Sequence, residues 1–326
     1  MTKTKSIKRI AVLTSGGDCS GMNPAIRSVV RSGIYNNLEI YGTFRGYEGL
    51  ITGDMKRMTR RSVGNIINKG GTFLKTVRSA EFLTKKGRKK AVDSLKKRKI
   101  DAVVVIGGDG SFKGAHILNQ EHQVRIIGIP ATIDNDVNGT DFSIGADTAV
   151  NVALDAVDKI RDTATSLERI FVVEVMGRNL GYIALQVGLA GGAEDAIIPE
   201  FDYNIKSMAD DIKRGRKKGK ISWIIIVAEG AGSAQEIAKQ ITDLTSFETR
   251  VTVLGHLQRG GTPTAMDRIL AAKFGKAAVD ALIRGDTDKM VGIVANKIKL
   301  IDLEYACAKP KNLSKEHYNL MRILAS

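Results

Sequence analysis

Two patterns of apolar and polar residues alternate along the chain. Continuous runs rich in valine and isoleucine predict strands over residues 9–14, 39–44, 101–107, 124–130, 169–177, 223–229 and 250–256. Apolar residues spaced at i, i+3 and i+4 predict helices over residues 23–35, 60–68, 111–119, 146–163, 181–190, 206–218, 234–244 and 264–284. Strands that are apolar along their whole length are typical of parallel sheets covered on both faces. The order of elements therefore predicts an α/β fold with doubly wound, mainly parallel sheets.

The length of the chain indicates more than one lobe. Its 326 residues, of which 43% are hydrophobic, suffice for two cores or for one large domain with two lobes. No linker rich in proline, glycine and serine separates two halves. We therefore expect two interleaved lobes, with the chain crossing between them.

Most predicted strands end in a polar or glycine-containing turn. These turns read TSGGD (14–18), IGGDGS (106–111), TIDND (132–136), VMGRN (175–179), AEGAGS (228–233) and GHLQRGG (255–261). Open α/β sheets bind ligands outside the carboxyl ends of their strands. One such turn is an ordinary connection, but six in one chain predict a single convergent site.

Two of these turns suit phosphate groups. Gly16 and Gly17 leave backbone N–H groups uncovered before a helix, although the Lys-Ser/Thr pair of a Walker P-loop is absent. In the second turn, glycines 107, 108 and 110 surround Asp109. One carboxylate among glycines suits Mg²⁺, which usually takes one or two acids together with substrate phosphates. The spacing does not match a dinucleotide-binding G-x-G-x-x-G motif.

The TIDND turn places acids close together after an apolar strand. Phosphoryl transfer to an alcohol needs a base near the hydroxyl, a metal ion and positive charge around the phosphoryl group. Asp134 is the candidate base, Asp136 could help to hold the metal or fix the geometry, and Thr132 could donate to a phosphate oxygen. Asp141 lies further along and is a candidate helix cap. The structural alternative is a cluster of Asx turns.

Arginines follow several of the same strands and turns, and arginine binds phosphate through paired donors. His256 has no second histidine or cysteine at metal-ligand spacing, so it is a candidate hydrogen-bond donor to substrate. Glu229 ends an apolar strand, where it could accept sugar hydroxyls. The candidate phosphate-binding arginines are Arg78, Arg169, Arg178, Arg250 and Arg259.

The net charge of +15 indicates an anionic partner, either phosphorylated metabolites or nucleic acid. Basic residues are concentrated at 84–90, 95–99 and 213–220. These runs contain no aromatic residue for stacking on bases, and a solvated helix face is the simpler interpretation of each. Nucleic acid is therefore not the expected primary partner.

Cysteine content and hydropathy indicate the compartment. The two cysteines, Cys19 and Cys307, do not suggest a disulfide framework. No apolar run approaches the ~20 residues that a membrane span needs. The basic N-terminal segment is followed by too few apolar residues for a signal peptide. We therefore expect a cytoplasmic protein with no membrane partner.

Together the motifs resemble those of bacterial ATP-dependent 6-phosphofructokinases. The resemblance runs in the same order from residue 8 to about 285 and rests on TSGGDxxGMN, GGTFL, VVVIGGDGS, TIDND, RIxVVEVMGR, AGGAE, AEGxGS and ETRVTVLGHxQRGGxPxxxDR. It implies a larger ATP-binding lobe of residues 1–140 plus about 256–305. It also implies a smaller fructose 6-phosphate-binding lobe of about 141–255 plus 306–326.

The resemblance implies that ATP and Mg²⁺ phosphorylate fructose 6-phosphate to fructose 1,6-bisphosphate. Asp134 would be the base on the sugar 1-hydroxyl, assisted by Thr132, Asp136 and Arg178. The residues implied for ATP are Gly17, Arg78, Ser79, Gly108, Asp109, Gly110 and Ser111, with Asp109 on Mg²⁺. Those implied for the sugar are Met176, Gly177, Arg178 and Glu229. Those implied for its 6-phosphate are Arg169, Arg250, His256 and Arg259.

A homotetramer and a second site also follow from the resemblance. In the family, the equivalents of Arg169 and Arg250 reach in from a neighbouring subunit. Arg27 and Arg31 lie four residues apart, on one helix face. An effector site for the activator ADP and the inhibitor phosphoenolpyruvate would comprise Arg27, Arg31, Arg60, Arg161, Glu194, Lys218 and Lys220. Asn65 stands where that site usually has an aspartate.

Two positions distinguish ATP from pyrophosphate as the donor. Pyrophosphate-using relatives typically carry lysine at position 131 and aspartate at position 110, where this chain has Ala131 and Gly110. Ser79 replaces a common phenylalanine in the adenine region. The alternatives are a pyrophosphate-dependent kinase on the same fold, a basic nucleic-acid-binding protein and a catalytically silent regulatory subunit. The presence of Asp109, Asp134 and Arg178 argues against the last.

Overall fold

The computed structural model describes residues 7–308 and 311–325. They divide into two units, each made from three separate stretches of chain. The first unit contains Asp136–Asp147 and the described parts of Met1–Thr132 and Arg259–Pro310. The second contains Ile133–Asn135, Thr148–Gln258 and the described part of Lys311–Ser326.

Strands and helices alternate through most of the chain. The strands are β1 (Arg9–Thr14), β2 (Glu39–Thr43), β3 (Met55–Met58), β4 (Ala102–Gly107), β5 (Arg125–Pro130), β6 (Ile170–Val175), β7 (Asp195–Ile197), β8 (Trp223–Ala228), β9 (Thr249–Val253), β10 (Lys289–Val294) and β11 (Lys297–Asp302). The α-helices are α1 (Met22–Tyr35), α2 (Gly46–Thr52), α3 (Lys85–Lys97), α4 (Asp109–His122), α5 (Ala146–Leu167), α6 (Tyr182–Ala190), α7 (Ile205–Lys217), α8 (Ala234–Thr245), α9 (Ala265–Arg284), α10 (Leu303–Ala308) and α11 (Lys315–Ala325). Short 3₁₀ helices cover Glu81–Leu83 and Gly255–Arg259.

The first unit is built on a seven-stranded sheet of order β11-β10-β5-β4-β1-β2-β3. Its central strands are parallel: Val104 of β4 pairs with Val12 of β1 on one side and with Ile127 of β5 on the other. All six residues of β4 are buried, as expected for a central strand covered on both faces. Only the outer pairs β2–β3 and β10–β11 are antiparallel. The carboxyl ends of β1, β4 and β5 therefore meet at one edge of the sheet.

Close packing of helices fixes the layer next to this sheet. A Cβ added to Gly275 of α9 would lie 2.5 Å from the Ser28 Oγ of α1. Ser28 Oγ donates to the backbone carbonyl of Ala272, 2.7 Å away. Glycine at 275 lets the two helix backbones approach each other. This packing supports α1, whose N-terminus follows the β1 turn.

The second unit is built on a parallel four-stranded sheet of order β7-β8-β6-β9. Val172 of β6 pairs with Ile225 of β8 and with Val251 of β9. Ile212 of α7 and Ile241 of α8 are fully buried in the apolar cluster on this sheet. The carboxyl ends of β6, β8 and β9 therefore lie side by side.

The α/β fold predicted from the sequence is confirmed, and so is each predicted strand to within a few residues at its ends. The strand predicted over 169–177 ends at Val175, because Gly177 has a φ of 146° that leaves the β region. The strand predicted over 250–256 spans Thr249–Val253.

The helix predicted over residues 60–68 is wrong. This segment forms successive turns. Asn65 has a φ of 57°, and Gly64 stands beside it, so the backbone leaves the right-handed helical region in mid-segment. The other predicted helices are present, and α2, α10, α11, β3, β7, β10 and β11 were not predicted. In the part of the chain that the structure describes, no helix combines the length and apolarity needed to cross a bilayer.

Candidate active site

The turn after β1 lies beside an arginine of the same unit. A Cβ added to Gly17 would come 2.9 Å from the guanidinium carbon of Arg259, so a larger residue would displace that side chain. Arg259 Nη1 donates to the backbone carbonyl of Asp18 at 3.1 Å. Thr76 Oγ1 donates to the carbonyl of Gly16 at 2.8 Å and ties the neighbouring loop to the turn. Gly17 and Arg259, both predicted for phosphate binding, are thus brought together.

The turn after β4 leads directly into α4. A Cβ on Gly107 would lie 2.5 Å from the carbonyl oxygen of Ser15 and 2.6 Å from Ser111 Oγ, so the backbones of two turns pack closely here. By contrast, a Cβ on Gly110 would have no atom from elsewhere in the described residues within 4 Å. The uncapped N–H groups of the first turn of a helix, with the helix dipole, favour a bound phosphate. The open space beside Gly110 leaves room for one.

Asp109 is the first residue of α4, and its side chain is 31% exposed. Its Oδ2 lies 3.5 Å from Lys113 Nζ, one turn further along the helix. Among the described residues, no group of three or more His, Cys, Asp or Glu could hold a metal by itself. Mg²⁺ bound to a nucleotide does not need such a group, because phosphate oxygens and water supply most of its ligands. An accessible carboxylate at the N-terminus of a helix that has no side-chain cap fits that role.

Thr132 lies at the end of β5, beside the β4 turn. Its backbone N–H donates to Ile144 O at 3.0 Å, and its carbonyl accepts from Ser143 Oγ at 2.7 Å. The N–H of Ala131 donates to Gly107 O at 2.9 Å. A Cβ added to Gly108 would lie 3.5 Å from Thr132 Cβ. The structure therefore holds Thr132 next to the glycine turn that contains Asp109.

Asp134 belongs to the second unit, while Asp136 two residues later belongs to the first. Asp134 is only 7% exposed and stands between the buried residues Ile133 and Asn135. Asn135 has a φ of 52°, a left-handed conformation that asparagine tolerates better than most residues. Asp136 is half-buried. A carboxylate as buried as Asp134 is shielded from bulk water, which suits a base for a bound alcohol.

Arg78 and Ser79 lie in the loop before the first 3₁₀ helix. The Arg78 side chain is exposed. Ser79 Oγ donates to Glu48 Oε2 at 2.6 Å and accepts from the backbone N–H of Phe82 at 3.3 Å. Phe82 is stacked on Tyr47, with ring centroids 3.9 Å apart. Ser79 thus anchors its loop to α2.

In the second unit, a carboxylate at the end of β8 accepts hydrogen bonds from the turn after β6. Glu229 Oε1 accepts hydrogen bonds from the backbone N–H groups of Gly177 (3.3 Å) and Arg178 (2.8 Å). The N–H of Met176 donates to Gln258 Oε1 at 2.8 Å. Arg178 has a φ of 57°. Met176, Gly177, Arg178 and Glu229, all predicted for the sugar, therefore form one group.

The two arginines predicted for the sugar phosphate share one carboxylate. Arg169 Nε donates to Glu248 Oε2 at 2.8 Å, and Arg250 Nη2 is paired with the other oxygen of Glu248. Parallel pairing of Ile170 with Thr249 brings the starts of β6 and β9 together. His256 is exposed on the 3₁₀ helix that follows β9.

Two contributing residues were missed from the sequence. Glu248 and Gln258 lie in the ETR and QRGG stretches that carry the family resemblance. Gln258 is 1% exposed and Glu248 pairs both arginines. A glutamine beside a glycine-rich turn, and an acid two residues from a candidate phosphate ligand, were sequence signals that could have identified them.

The residues predicted for an effector site are found in both units. In the first, Arg27 is half-buried and Arg31 and Arg60 are exposed; burial, followed by the nearby charge of Arg31, lowers the pKa of Arg27. In the second, Arg161 donates to the carbonyl of Gly192 at 2.8 Å.

The loop after Gly192 contains the acidic member of this predicted site. Glu194 Oε1 lies 3.2 Å from Lys220 Nζ, and its Oε2 accepts from the N–H of Ile224 at 2.6 Å. Lys218 is the C-cap residue that follows α7, and it is exposed. Glu194, Lys218 and Lys220 thus lie on the loops around residues 191–194 and 218–220, and Arg161 reaches the first of these loops from α5.

Comparison with known proteins identifies relatives over nearly the whole length of the chain. A family model described as phosphofructokinase matches residues 9–282. An ATP-dependent 6-phosphofructokinase of Halothermothrix orenii is 51% identical, and the alignment covers 98% of this chain and 100% of the relative. The enzyme of the same name from Bacillus velezensis is 52% identical over the same shares.

Solved structures give the same result for the fold. A chain of phosphofructokinase from Saccharomyces cerevisiae superposes with a TM-score of 0.89 at 37% identity, covering 98% of this chain and 48% of the yeast chain. A pyrophosphate-dependent phosphofructokinase from Marinobacter aquaeolei superposes with a TM-score of 0.85 over 98% of this chain and 92% of its own. Its identity is 21%, so this second likeness concerns the fold alone.

Proposed function

Because the chain belongs to the phosphofructokinase family, we propose that it transfers the terminal phosphoryl group of ATP to the 1-hydroxyl of fructose 6-phosphate. The products are fructose 1,6-bisphosphate and ADP, and the hydroxyl proton is released. The turn of Gly107–Ser111 carries this proposal. Its helix N-terminus is uncapped and the space beside Gly110 is open, so it can receive the phosphates of a nucleotide.

Asp134 takes the proton from the sugar 1-hydroxyl as the oxygen attacks the phosphoryl group. Its burial supports this role, since a carboxylate held away from bulk water interacts more strongly with a bound hydroxyl. Asp136 and the Thr132 hydroxyl help to orient the phosphoryl group, and the Arg178 guanidinium offsets its negative charge.

Asp109 is the residue that would hold Mg²⁺. When bound, the ion neutralises charge on the phosphates of the nucleotide. Gly17, Arg78, Ser79, Gly108, Gly110 and Ser111 bind the rest of ATP through backbone N–H groups, hydroxyls and the guanidinium.

The sugar is held by the group around Glu229. The Glu229 carboxylate accepts sugar hydroxyls, and the backbone of Met176–Arg178 surrounds the ring. Arg169, Arg250, His256 and Arg259 bind the 6-phosphate. The family resemblance assigns Arg169 and Arg250 to the site of a neighbouring subunit, so the active enzyme is a homotetramer in which assembly and activity are coupled. The enzyme acts in the cytoplasm.

A second, regulatory site takes ADP as activator and phosphoenolpyruvate as inhibitor. Its residues are Arg27, Arg31, Arg60, Arg161, Glu194, Lys218 and Lys220. The pairing of Lys220 with Glu194 supports this assignment, because it places a cation and an anion on adjoining loops. A nucleotide bound with a metal ion can use both charges.

A steady-state assay for fructose 1,6-bisphosphate tests the proposal, run in parallel with ATP and with pyrophosphate. Activity with ATP alone is expected, because residue 110 is glycine and residue 131 is a small, buried alanine. Activity with pyrophosphate alone would overturn the proposed donor. Activity with neither, on a folded tetramer, would refute the proposed reaction.

A further inference from the structure

We propose that Arg216 of α7 is a positioning residue for the two arginines that bind the sugar 6-phosphate, Arg169 and Arg250. This inference rests on the function proposed above. The Arg216 guanidinium contacts both the turn before β6 and the turn before β9. Its side chain is 22% exposed, so it is largely enclosed by these contacts.

The first contact is with the turn before β6. Arg216 Nη2 donates to the backbone carbonyl of Glu168, and Nη1 lies 3.8 Å from Glu168 Oε2. Glu168 has a φ of 52°. A glutamate in this left-handed conformation is unfavourable by itself and persists where surrounding groups hold it. Arg169 is the next residue, so the backbone conformation of Glu168 determines how the Arg169 backbone and side chain are oriented.

The second contact is with the turn before β9. The Arg216 guanidinium lies over the ring of Phe247, 5.2 Å from its centroid. The N–H of Phe247 donates to Thr245 Oγ1 at 3.2 Å. Glu248 follows Phe247 directly and pairs both Arg169 and Arg250. One planar cation therefore joins the residue before Arg169 to the residue before Glu248.

These contacts form a continuous chain from α7 to the phosphate-binding arginines. Two guanidinium groups repel each other, and the Glu248 carboxylate lets them lie close together before a phosphate arrives. Arg216 fixes the two turns that determine where Glu248 and Arg169 stand. Without it, Arg169 would sample more directions and phosphate binding would have to order it.

The strand itself does not depend on Arg216. The N–H of Ile170 donates to Glu248 O at 3.3 Å, and the N–H of Trp223 donates to Arg169 O at 3.3 Å. These ladder bonds keep β6 in register when the Arg216 side chain is removed. Loss of Arg216 should therefore affect binding of the sugar phosphate rather than folding of the unit.

The test compares Arg216→Gln and Arg216→Lys with the wild type in the fructose 6-phosphate assay. Lysine keeps the charge but cannot reach the Glu168 carbonyl and cover the Phe247 ring together, since it lacks the planar fork. Both variants should raise the KM for fructose 6-phosphate roughly tenfold, the size expected for one lost charge-assisted hydrogen bond. The kcat and the KM for ATP should stay close to wild type.

Lys213→Gln is the matched control, since Lys213 is an exposed cation on the same helix. A general loss of positive charge would raise the KM in this variant too, and that result would overturn the proposal. A double-mutant cycle completes the test. In an Arg169→Ser background, Arg216→Gln should add little, because its effect acts through Arg169.

Full additivity in that cycle, or an unchanged KM in both Arg216 variants, would refute the positioning role. Should Arg216→Gln not fold, Arg216→Lys carries the same comparison. A wild type inactive with fructose 6-phosphate would instead refute the proposed function, so the two failures are distinguishable.

Discussion

The carboxylate of Glu229 accepts a hydrogen bond from the backbone N–H of Arg178, 2.8 Å away. Glu229 also accepts from Gly177, so one side chain at the end of β8 fixes the left-handed turn after β6. A residue proposed to bind the sugar therefore also shapes the loop around it. These two roles can be separated by substitution.

Glu229→Gln keeps an oxygen that can accept from the turn but removes the charge. We expect a higher KM for fructose 6-phosphate with little change in thermal stability. Glu229→Leu removes the acceptor as well, and should also lower the free energy of unfolding by about 1 kcal/mol. Calorimetry and steady-state kinetics on both variants check this, and equal stability of the two would contradict the structural role.

Asp134→Asn should lower kcat roughly 10²- to 10⁴-fold, the range that loss of a general base gives. The substitution preserves the shape of a side chain that is 7% exposed. Binding of fructose 6-phosphate, measured by titration calorimetry, should remain. Turnover near the wild-type rate would show that another group takes the proton.

Gly110→Asp should raise the KM for ATP at least about tenfold, because a carboxylate would face the nucleotide phosphates. The fold should tolerate it, since in the part of the chain that the structure describes a Cβ at position 110 meets no packed neighbour within 4 Å. Gly107→Ala is the contrasting variant. Its Cβ would lie 2.5 Å from Ser15 O, so unfolding should become easier by about 1–3 kcal/mol. An equal loss of stability in both would contradict this difference.

Arg250→Ser should raise the KM for fructose 6-phosphate by roughly one to two orders of magnitude, as expected when a charged hydrogen-bond donor to phosphate is lost. The KM for ATP should change little. Arg284→Ser, which removes an exposed arginine of the first unit, serves as control. An unchanged affinity for the sugar phosphate would refute the assignment of Arg250.

Asp195 makes stability depend on pH. Burial, partly offset by the Ala196 N–H and the charge of Arg322, raises its pKa from 3.8 to about 6. The folded state therefore holds this proton more tightly than the unfolded state does, so stability falls as the pH rises from 3.8 to about 6 and stays lower above it.

The substitution Asp195→Asn removes the free-energy cost of ionising this buried carboxyl group. Near neutral pH the variant should be more stable than the wild type by about 1–3 kcal/mol, measured by urea unfolding. The difference should shrink as the pH falls below about 6 and vanish near 3.8. A difference that does not vary with pH would show that the carboxyl group ionises normally.

The central strands were predictable because burial on both faces leaves a continuous apolar run, as in β4. The hairpin of β10 and β11 was not. Its two-residue turn places Ala295 and Asn296 at φ values of 48° and 62°, a geometry usually signalled by glycine. The lysines of the exposed strand β11 also interrupt the apolar pattern. A sequence pattern therefore identifies interior strands more readily than an edge hairpin.

In the candidate site, too, local sequence patterns predict some features and miss others. Residues at strand ends, such as Asp109 and Glu229, could be found because their positions follow from the strands before them. The pairing of Glu248 with Arg169 could not, since the two are 79 residues apart and meet through the register of β6 and β9. Local motifs indicate which groups are present, and long-range packing decides which of them touch.

The division of each unit into three stretches has a consequence for synthesis on the ribosome. The sheet of the first unit contains β10 and β11, and the second unit contains α11. The nascent chain therefore cannot complete the first core before β11 and α10 emerge, nor the second before α11 emerges. Neither unit can be excised as one continuous fragment, and a chain truncated before Lys289 would lack part of the first sheet and all of α11.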